Sequence, residues 1–155
     1  MSKRPSSSDF TSVPDSVGPP LIGALLRMPW EAVQAHMLEQ LHAHGFDDFD
    51  ASYLSVFQYP GPHGRRPSEL AARLRISKQA LNHLLGQLER RGYLERHIDP
   101  DSRRSKRIEL SARGVNVVTV IRAAVAEMEE RWKIELGLQR FEQLRQLLLD
   151  LNQPL

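Results

Sequence analysis

The sequence predicts a mainly α-helical fold with one small β-hairpin, and three observations support this prediction. Apolar residues recur at helical spacing through most of the chain from residue 21 to residue 152. Two short helical segments joined by a brief turn occupy the middle of the chain. Directly after them, two segments that alternate between apolar and polar residues flank an Asp-Pro turn.

Composition limits how these elements can be arranged. A chain of 155 residues is long enough for one compact domain, or for a small module with an oligomerisation region. No segment approaches the roughly 20 consecutive apolar residues of a membrane span, and the absence of Cys excludes disulfides and thiol chemistry. Residues 1–20 are rich in Ser and Pro and lack the apolar centre of a secretory signal, so we expect a disordered tail on a cytoplasmic protein.

The region from residue 21 to residue 59 is predicted to be helical. The apolar run of residues 21–27 indicates a short helix, and Pro29 fits the first turn of a second helix that continues to about residue 44. A third helix is expected from residue 47 to residue 59. The Pro- and Gly-rich residues 60–64 then separate this region from the middle of the chain.

A helix-turn-helix pattern begins after residue 64. Pro67 suits the first position of a helix that ends at Leu74, and Ser77 is a suitable N-cap for a second helix that reaches Arg91. Four leucines at helical spacing give the second helix one buried face: Leu81, Leu84, Leu85 and Leu88. The opposite face and its margin then carry the polar side chains Lys78, Gln79, Asn82 and His83.

The two alternating segments are residues 94–98 and 106–110, which predicts a half-buried hairpin. The apolar residues that define its inner face are Leu94, Ile98, Ile108 and Leu110. The loop between the strands exposes Arg103 and Arg104. Asp101 precedes Arg103 by two residues, and we expect its carboxylate to brace that guanidinium through a charge-assisted hydrogen bond. Two helices followed by a basic hairpin are typical of a winged helix-turn-helix.

Positive charge is concentrated in this module. Residues 65–113 contain thirteen Lys and Arg against six Asp and Glu, a net charge of +7, while the rest of the chain carries −5. A basic centre between acidic flanks fits one phosphate-facing module held by parts that avoid nucleic acid. A solvated charged surface is the simpler alternative, and charge alone does not decide between them.

The residue types of the module favour reading of double-stranded DNA. Asn and Gln can pair with adenine edges and Lys with guanine in the major groove, while Arg on a wing can enter the minor groove. The candidate DNA-binding residues are Ser77, Lys78, Gln79, Asn82, His83, Asp101, Arg103, Arg104 and Lys106. Gly86, on the outer side of the second helix, costs about 1 kcal/mol relative to Ala; it is either tolerated or required for close approach of a DNA backbone.

These motifs resemble the MarR family of bacterial transcriptional regulators, named for multiple-antibiotic-resistance control. The matching residues are Glu69-Leu70-Ala71, Leu88-Glu89-Arg90-Arg91-Gly92-Tyr93-Leu94, Arg96, Asp99-Pro100-Asp101-Ser102-Arg103-Arg104 and Leu110-Ser111-Ala112-Arg113-Gly114. The resemblance implies that the second helix is the recognition helix and that Asp101 and Arg103 occupy the bracing and minor-groove positions of the wing. It also implies a homodimer and a small aromatic or anionic effector, bound between the dimer helices and the DNA-binding lobe.

The predicted organisation is therefore a lobe at residues 60–114, between N-terminal helices at residues 21–59 and C-terminal dimerisation helices at residues 115–155. The apolar positions assigned to the C-terminal helices are Val115, Val118, Ile121, Val125, Met128, Trp132, Leu138, Phe141, Leu144, Leu148 and Leu151. Together with residues 21–26 they exceed what a small winged module can bury, which favours a two-fold homodimer over a bundle within one chain.

An effector pocket would be bordered by aromatic and His side chains of the N-terminal helices. The candidates are Trp30, His36, Phe46, Tyr53 and Phe57, each of which is also explained as ordinary core. His36, His42 and His44 raise the possibility of a metal sensor, but no His-x-x-x-His spacing occurs there, so we expect neither a metal site nor another cofactor.

The sequence as a whole predicts a homodimeric transcriptional regulator, a repressor that binds a palindromic operator and is released by a small effector. Gly-rich phosphate loops, nucleophile elbows and metal-ligand spacings are absent, so we do not expect an enzyme. The alternatives are a winged-helix module used for protein contacts without DNA readout, and a metal-responsive regulator.

Overall fold

The structure, a computed structural model, describes residues 18–58 and 60–152. Most of the predicted N-terminal tail therefore lies outside the described residues. The elements in chain order are α1 (Ile22–Ala43), a 3-10 turn (Ala51–Tyr53), α2 (Leu54–Phe57), α3 (Pro67–Leu74), α4 (Lys78–Arg90), β1 (Leu94–Asp99), β2 (Ser102–Leu110), α5 (Ala112–Leu136) and α6 (Leu138–Leu151). The predicted fold class, mainly helical with one small hairpin, is confirmed.

Helix α1 is continuous, so the prediction of two helices divided near Pro29 is wrong. Proline lacks the N–H that would donate to the carbonyl four residues earlier, at Leu25. Leu25 is 48% exposed and Pro29 is also exposed, so water can hydrogen-bond the carbonyl in place of the missing donor. The helix therefore passes through Pro29 without burying an unpaired group.

The helix predicted between residues 47 and 59 is also shorter than expected. The Asp50 side chain accepts a hydrogen bond from Ser52 N at 2.8 Å, and a 3-10 turn begins at Ala51. Helix α2 then ends at Phe57, within the described part of this region. The local cap at Asp50 delays the start of helical structure and leaves residues 47–50 as a loop.

The core lies where α1 packs along α5 and where an aromatic cluster joins the loop after α1. Helix α5 buries Gly114, Val117, Ile121, Ala124 and Met128. Val115 was assigned to the inner face but is 51% exposed, because the face that meets α1 is rotated toward Val117 and Ala124. Phe49 lies at the centre of the aromatic cluster, with ring centroids of Tyr53, Phe57 and Tyr93 at 5.4–5.5 Å.

The lobe consists of α3, α4 and the hairpin, in which β1 and β2 pair antiparallel with Leu94 opposite Leu110. Gly64 N donates to Ile108 O at 2.7 Å, and Ile108 N donates to Arg65 O at 2.9 Å, so the segment before α3 also pairs with β2. Leu94 and Ile108 are buried as predicted. Ile98 is 68% exposed instead, because it lies beyond the core beside an irregularity in the pairing at Ile98 and Asp99.

Both ends of the described chain present apolar side chains to solvent. Helix α6 buries Phe141. Three of the four leucines predicted on the same inner face, Leu138, Leu144 and Leu151, are exposed. The exposed large apolar residues of these regions are Leu21, Ile22, Leu25, Leu26, Met28, Trp30, Ile134, Leu138, Leu144, Leu147, Leu149 and Leu151. Within one chain, the terminal helices thus leave an apolar surface uncovered. Among the described residues, no helix has the length and hydropathy of a membrane span.

Candidate nucleic-acid interface

The turn between α3 and α4 fixes where α4 begins. Arg75 has a left-handed backbone with φ of 54°, and its N–H donates to Ala72 O at 3.2 Å. Ser77 is the N-cap of α4, and its Oγ accepts from Ala80 N at 3.0 Å. The capping role predicted for Ser77 is confirmed.

Helix α4 packs against the lobe through Leu81, Leu85 and Leu88. Its opposite face is open: Lys78, Gln79, Asn82 and His83 are all exposed. The structure thus places the predicted recognition residues together on one surface, at the N-terminal end of the helix. Their contact with DNA remains a prediction.

Asn82 is oriented by a residue of the hairpin. Arg96 Nη1 donates to Asn82 Oδ1 at 3.2 Å. The same guanidinium is held by two hydrogen bonds to Glu89, at 2.8 and 2.6 Å, which raise the pKa of Arg96. This contact orients the Asn82 amide, with its oxygen toward Arg96.

His83 is joined to the core through Gln87. Gln87 Nε2 lies 2.8 Å from His83 Nε2, and the Tyr53 hydroxyl donates to Gln87 Oε1 at 2.9 Å. Tyr53 is buried whereas His83 is exposed. A hydrogen-bonded chain therefore runs from the aromatic cluster to the outer face of α4.

Asp99, at the end of β1, is fully buried and ties the base of the wing together. Its Oδ2 accepts from Arg66 Nε at 2.5 Å and from Ser105 Oγ at 3.1 Å. Its Oδ1 accepts from the Asp101 N–H at 3.0 Å and forms an ion pair with Arg107 Nε at 2.8 Å. Arg66 directly precedes α3, so one carboxylate joins α3 to both strands.

The charge state of Asp99 follows from these partners. Burial alone would raise the pKa of Asp99. The hydrogen bonds and positive charges just described outweigh burial and lower that pKa to about 2. The carboxylate is therefore ionised at neutral pH, and the wing base remains cross-linked.

Asp101 does not brace Arg103 as the sequence predicted. The tight turn pairs Asp99 with Ser102 and leaves Asp101 at the corner, where its carboxylate accepts from Arg107. Arg107 already contacts Asp99, so the two acidic side chains share this one guanidinium. In the described residues, Arg103 has no ion-pair partner.

The tip of the wing carries the exposed cations. Arg103, Arg104 and Lys106 are all exposed, and none forms an ion pair within the described residues. By contrast, Arg66, Arg96, Arg107 and Arg113 pair with acidic side chains. The module therefore has two groups of cations: one group pairs with acidic side chains of the protein, and the other is exposed to solvent on the wing.

A second polar cluster joins the lobe to α5. Asp48 accepts from Tyr93 Oη at 2.5 Å and from Arg113 Nη2 at 2.8 Å. The Arg113 guanidinium lies over the Tyr93 ring, 4.3 Å from its centroid. Burial and the hydrogen bond to Asp48 raise the pKa of Tyr93. Burial would also raise the pKa of Asp48, but the hydrogen bonds from Tyr93 and Arg113 outweigh it and lower that pKa.

Sequence reasoning missed Asp99, Arg96 and Gln87, which hold the exposed residues in place. A charged Arg96 at an inward position of an alternating strand was one available signal. The Asp-Pro turn was another, because Asp side chains often bond nearby backbone at turns. Gln87 gave no comparable signal, because Tyr53 is 34 positions away in the chain and His83 lies on the exposed face of α4.

The five candidate effector residues lie in different surroundings. Phe46, Tyr53 and Phe57 are buried, and Tyr53 and Phe57 pack against Phe49 in the aromatic cluster. His36 is buried on α1 and bonds Glu127 Oε2 of α5 through Nε2 at 2.8 Å. Trp30 is 39% exposed near the start of α1.

A depression of about 600 Å³ lies between the C-terminal half of α1, the 47–53 segment and the end of α4. Tyr53 is the one candidate effector residue that lines it, together with Gln87 and Arg91. No group of three or more His, Cys, Asp or Glu side chains in the described part of the chain could hold a metal ion.

Comparisons with known proteins agree with this geometry. Residues 53–105 match the sequence model of the MarR family. The transcriptional repressor CouR bound to a 23-mer DNA duplex is a similar solved structure, with 25% identity, a TM-score of 0.64, and coverage of 84% of this chain and 92% of that chain. CouR from Rhodococcus jostii RHA1 bound to p-coumaroyl-CoA has 24% identity, a TM-score of 0.64, and coverage of 86% and 93%. Wild-type MarR from E. coli, in the apo form, has 20% identity, a TM-score of 0.66, and coverage of 87% and 98%. No curated protein sequence matches the chain.

Proposed function

We propose that this chain, whose residues 53–105 belong to the MarR family and whose fold is that of MarR-type winged helices, is a transcriptional regulator that binds double-stranded DNA. One observation supports this more than any other: the polar N-terminal face of α4 and the exposed cations of the wing tip lie on one lobe. The 25% identity with DNA-bound CouR over 84% of the chain adds support.

Each part of that surface has a distinct task in the proposal. Helix α4 enters the major groove, where Lys78, Gln79, Asn82 and His83 meet base edges and Ser77 meets the phosphate backbone. Arg103 enters the adjacent minor groove. Arg104 and Lys106 contact phosphates, and Asp101 supports the wing through Arg107 instead of touching DNA.

The proposal includes a homodimer formed by the N- and C-terminal helices. The exposed apolar residues of α1 and α6 support it, because an uncovered surface of this kind favours association. A two-fold dimer would place two α4 helices in successive major grooves, about 34–36 Å apart, and would select a palindromic operator. Repression follows where that operator overlaps a promoter.

Release by a small aromatic or anionic effector completes the proposal. Arg91, on the wall of the depression beside α4, provides a cation suited to an anionic molecule, and it lies over the buried Tyr53 ring. Addition of substituted benzoates to the protein–DNA complex tests this step. Dissociation supports it, and unchanged affinity at millimolar concentrations contradicts it.

The alternative of a module for protein contacts makes a different prediction. Protein interfaces are enriched in aromatic residues and Met at their centre, whereas the outer face of α4 carries Lys78, Gln79 and Asn82. DNA binding predicts a steep loss of affinity with salt, with a log–log slope of about 0.9 for each phosphate neutralised. A flat response to salt would support the protein-contact alternative.

The decisive experiment is selection of bound fragments from a random DNA pool, followed by affinity measurements on the selected site. Arg103→Ala is expected to weaken binding about tenfold or more without changing the thermal unfolding temperature. Arg122→Ala, which removes an exposed Arg of α5, is the matched control and should bind almost as wild type. Failure to enrich any fragment, with the folded protein intact, would refute the proposed function.

A further inference from the structure

The outer face of α4 is connected to the core by three side chains in a row. The Tyr53 hydroxyl lies 2.9 Å from Gln87 Oε1, and Gln87 Nε2 lies 2.8 Å from His83 Nε2. His83 and Gln87 are four positions apart on α4 and so lie on the same face. Tyr53 comes from the 3-10 turn, 34 positions before Gln87.

The inner end of this chain is fixed. Tyr53 is 1% exposed, and its ring meets the Phe49 ring edge to face at 5.5 Å. The Arg91 guanidinium lies 5.4 Å from the centroid of the same ring. The Tyr53 hydroxyl therefore has a defined position, and the Gln87 side chain turns its amide oxygen toward it.

The order of donors and acceptors determines the tautomer of His83. Oε1 of Gln87 can only accept, so the tyrosine hydroxyl donates to it and the amide NH2 faces the imidazole. A ring nitrogen that accepts a hydrogen bond carries no proton. His83 Nε2 is thus unprotonated, and the proton of the neutral ring is on Nδ1.

We propose that Tyr53 and Gln87 are positioning residues that hold His83 as an Nδ1–H donor and thereby determine which bases it can read. This inference rests on the proposed DNA binding of α4. A donor at this position suits the N7 and O6 atoms of guanine, N7 of adenine and O4 of thymine. It is mismatched with the exocyclic amino group of cytosine, which is itself a donor.

The tautomer can be measured in the free protein, without DNA. Nitrogen-15 NMR of the histidine rings, recorded in alkaline buffer where imidazoles are neutral, should show His83 protonated at Nδ1. This is the opposite of the Nε2–H form that an unconstrained histidine favours in water. Tyr53→Phe and Gln87→Met should shift His83 toward the Nε2–H form, and Gln87→Glu should place a proton on Nε2 outright.

Tyr93→Phe is the matched control. It also removes a buried tyrosine hydroxyl, but that hydroxyl donates to Asp48 and is not part of the chain to His83. It should leave the His83 spectrum unchanged. An Nε2–H tautomer in the wild-type protein, or a spectrum that Tyr53→Phe does not alter, would overturn the assignment of His83.

Selection of DNA fragments tests the consequence for readout. Tyr53→Phe should reduce discrimination against cytosine at one position of each half-site by about threefold to tenfold, which is the value of one hydrogen bond. The salt dependence of binding should not change, because no phosphate contact is lost. Unaltered base preference in a variant whose tautomer has shifted would refute the role in specificity. If the wild-type protein selects no DNA, the proposed function fails, while the NMR result still decides whether the chain sets the tautomer.

Discussion

Replacement of Gly114 by Ala is expected to destabilise the protein, although Ala is the better helix former. A Cβ at Gly114 would lie 1.9 Å from Tyr93 O and 3.1 Å from Leu110 Cδ2. The closest atom belongs to the backbone, so α5 and the start of β1 must separate. That carbonyl also accepts from Ser111 N at 3.2 Å, and separation would strain this bond.

The magnitude follows from three contributions. Overpacking in a well-packed site costs about 1–3 kcal/mol, and a lost hydrogen bond costs about 1 kcal/mol. The gain in helix propensity returns up to about 1 kcal/mol. The free energy of unfolding of Gly114→Ala should therefore fall by about 2 kcal/mol. In a chain of this size that corresponds to a decrease in Tm of roughly 4–8 °C.

Gly86→Ala is the matched control for this substitution. A Cβ at Gly86 would meet only Arg90 Nη1 at 3.4 Å, the end of a flexible side chain. This variant should be more stable than wild type by about 0.5–1 kcal/mol. Thermal and urea unfolding at one fixed protein concentration measure both variants. A Gly114→Ala protein as stable as wild type would refute the close-packing argument. A Gly86→Ala protein less stable than wild type would contradict the expected gain from the higher helix propensity of Ala.

Three further predictions concern the site and the uncovered surface. The pKa of Asp99 is lowered in the folded state, so the ionised carboxylate stabilises the fold fully above about pH 4. This contribution is lost as the pH falls toward 2. In urea unfolding from pH 6 to pH 2, the stability difference between wild type and Asp99→Asn should therefore shrink. Ser77→Ala removes the N-cap of α4 and should lower the unfolding free energy by about 1 kcal/mol in the same assay, while Ser77→Asp should retain most of it. Leu147→Lys, on the exposed face of α6, should weaken self-association in sedimentation equilibrium without reducing the helical content measured by circular dichroism.

Each of these predictions has a contrary outcome. A constant difference between wild type and Asp99→Asn down to pH 2 would mean that the carboxylate is not held ionised by its partners. Equal stability of Ser77→Ala and wild type would mean that the cap does not fix the start of α4. A Leu147→Lys protein that associates as wild type would exclude this part of α6 from the proposed dimer.

The elements that the sequence predicted well have strong local signals. Pro67, Ser77 and the four leucines of α4 define the two central helices through rules that act within one or two turns. Alternation predicted both strands of the hairpin, but β2 begins at Ser102 and not at residue 106, so Arg103 and Arg104 lie in the strand and not in the predicted loop. The prediction failed at Pro29, where a local rule indicated a new helix. Helix α1 instead continues through Pro29 along a stretch in which Leu25 and Pro29 are exposed, so water can replace the missing donor.

The errors in the site share a different cause. Asp101 is adjacent in sequence to the wing arginines, yet Arg107, across the hairpin, is its partner. Asp99 is buried because Arg66, 33 positions away, reaches it. Phe46 and Phe57 pack in the core, as the simpler of the two interpretations expected, and their part in an effector pocket stays a prediction. Contacts between distant segments decide these cases, and neither spacing nor residue type reveals them.

The fastening of the wing to the segment before α3 has a mechanical consequence. The Arg66–Asp99 pair and the two backbone hydrogen bonds between residues 64–65 and Ile108 prevent the hairpin from swinging independently of the helices. In a regulator of the kind proposed, the spacing between α4 in the major groove and Arg103 in the minor groove is then constant. A duplex whose grooves do not match this spacing must bend or change its groove width, and DNA sequences differ in how easily they do so. If the proposed DNA binding holds, stiffness of the protein would convert the flexibility of DNA into a preference at base pairs that no side chain touches.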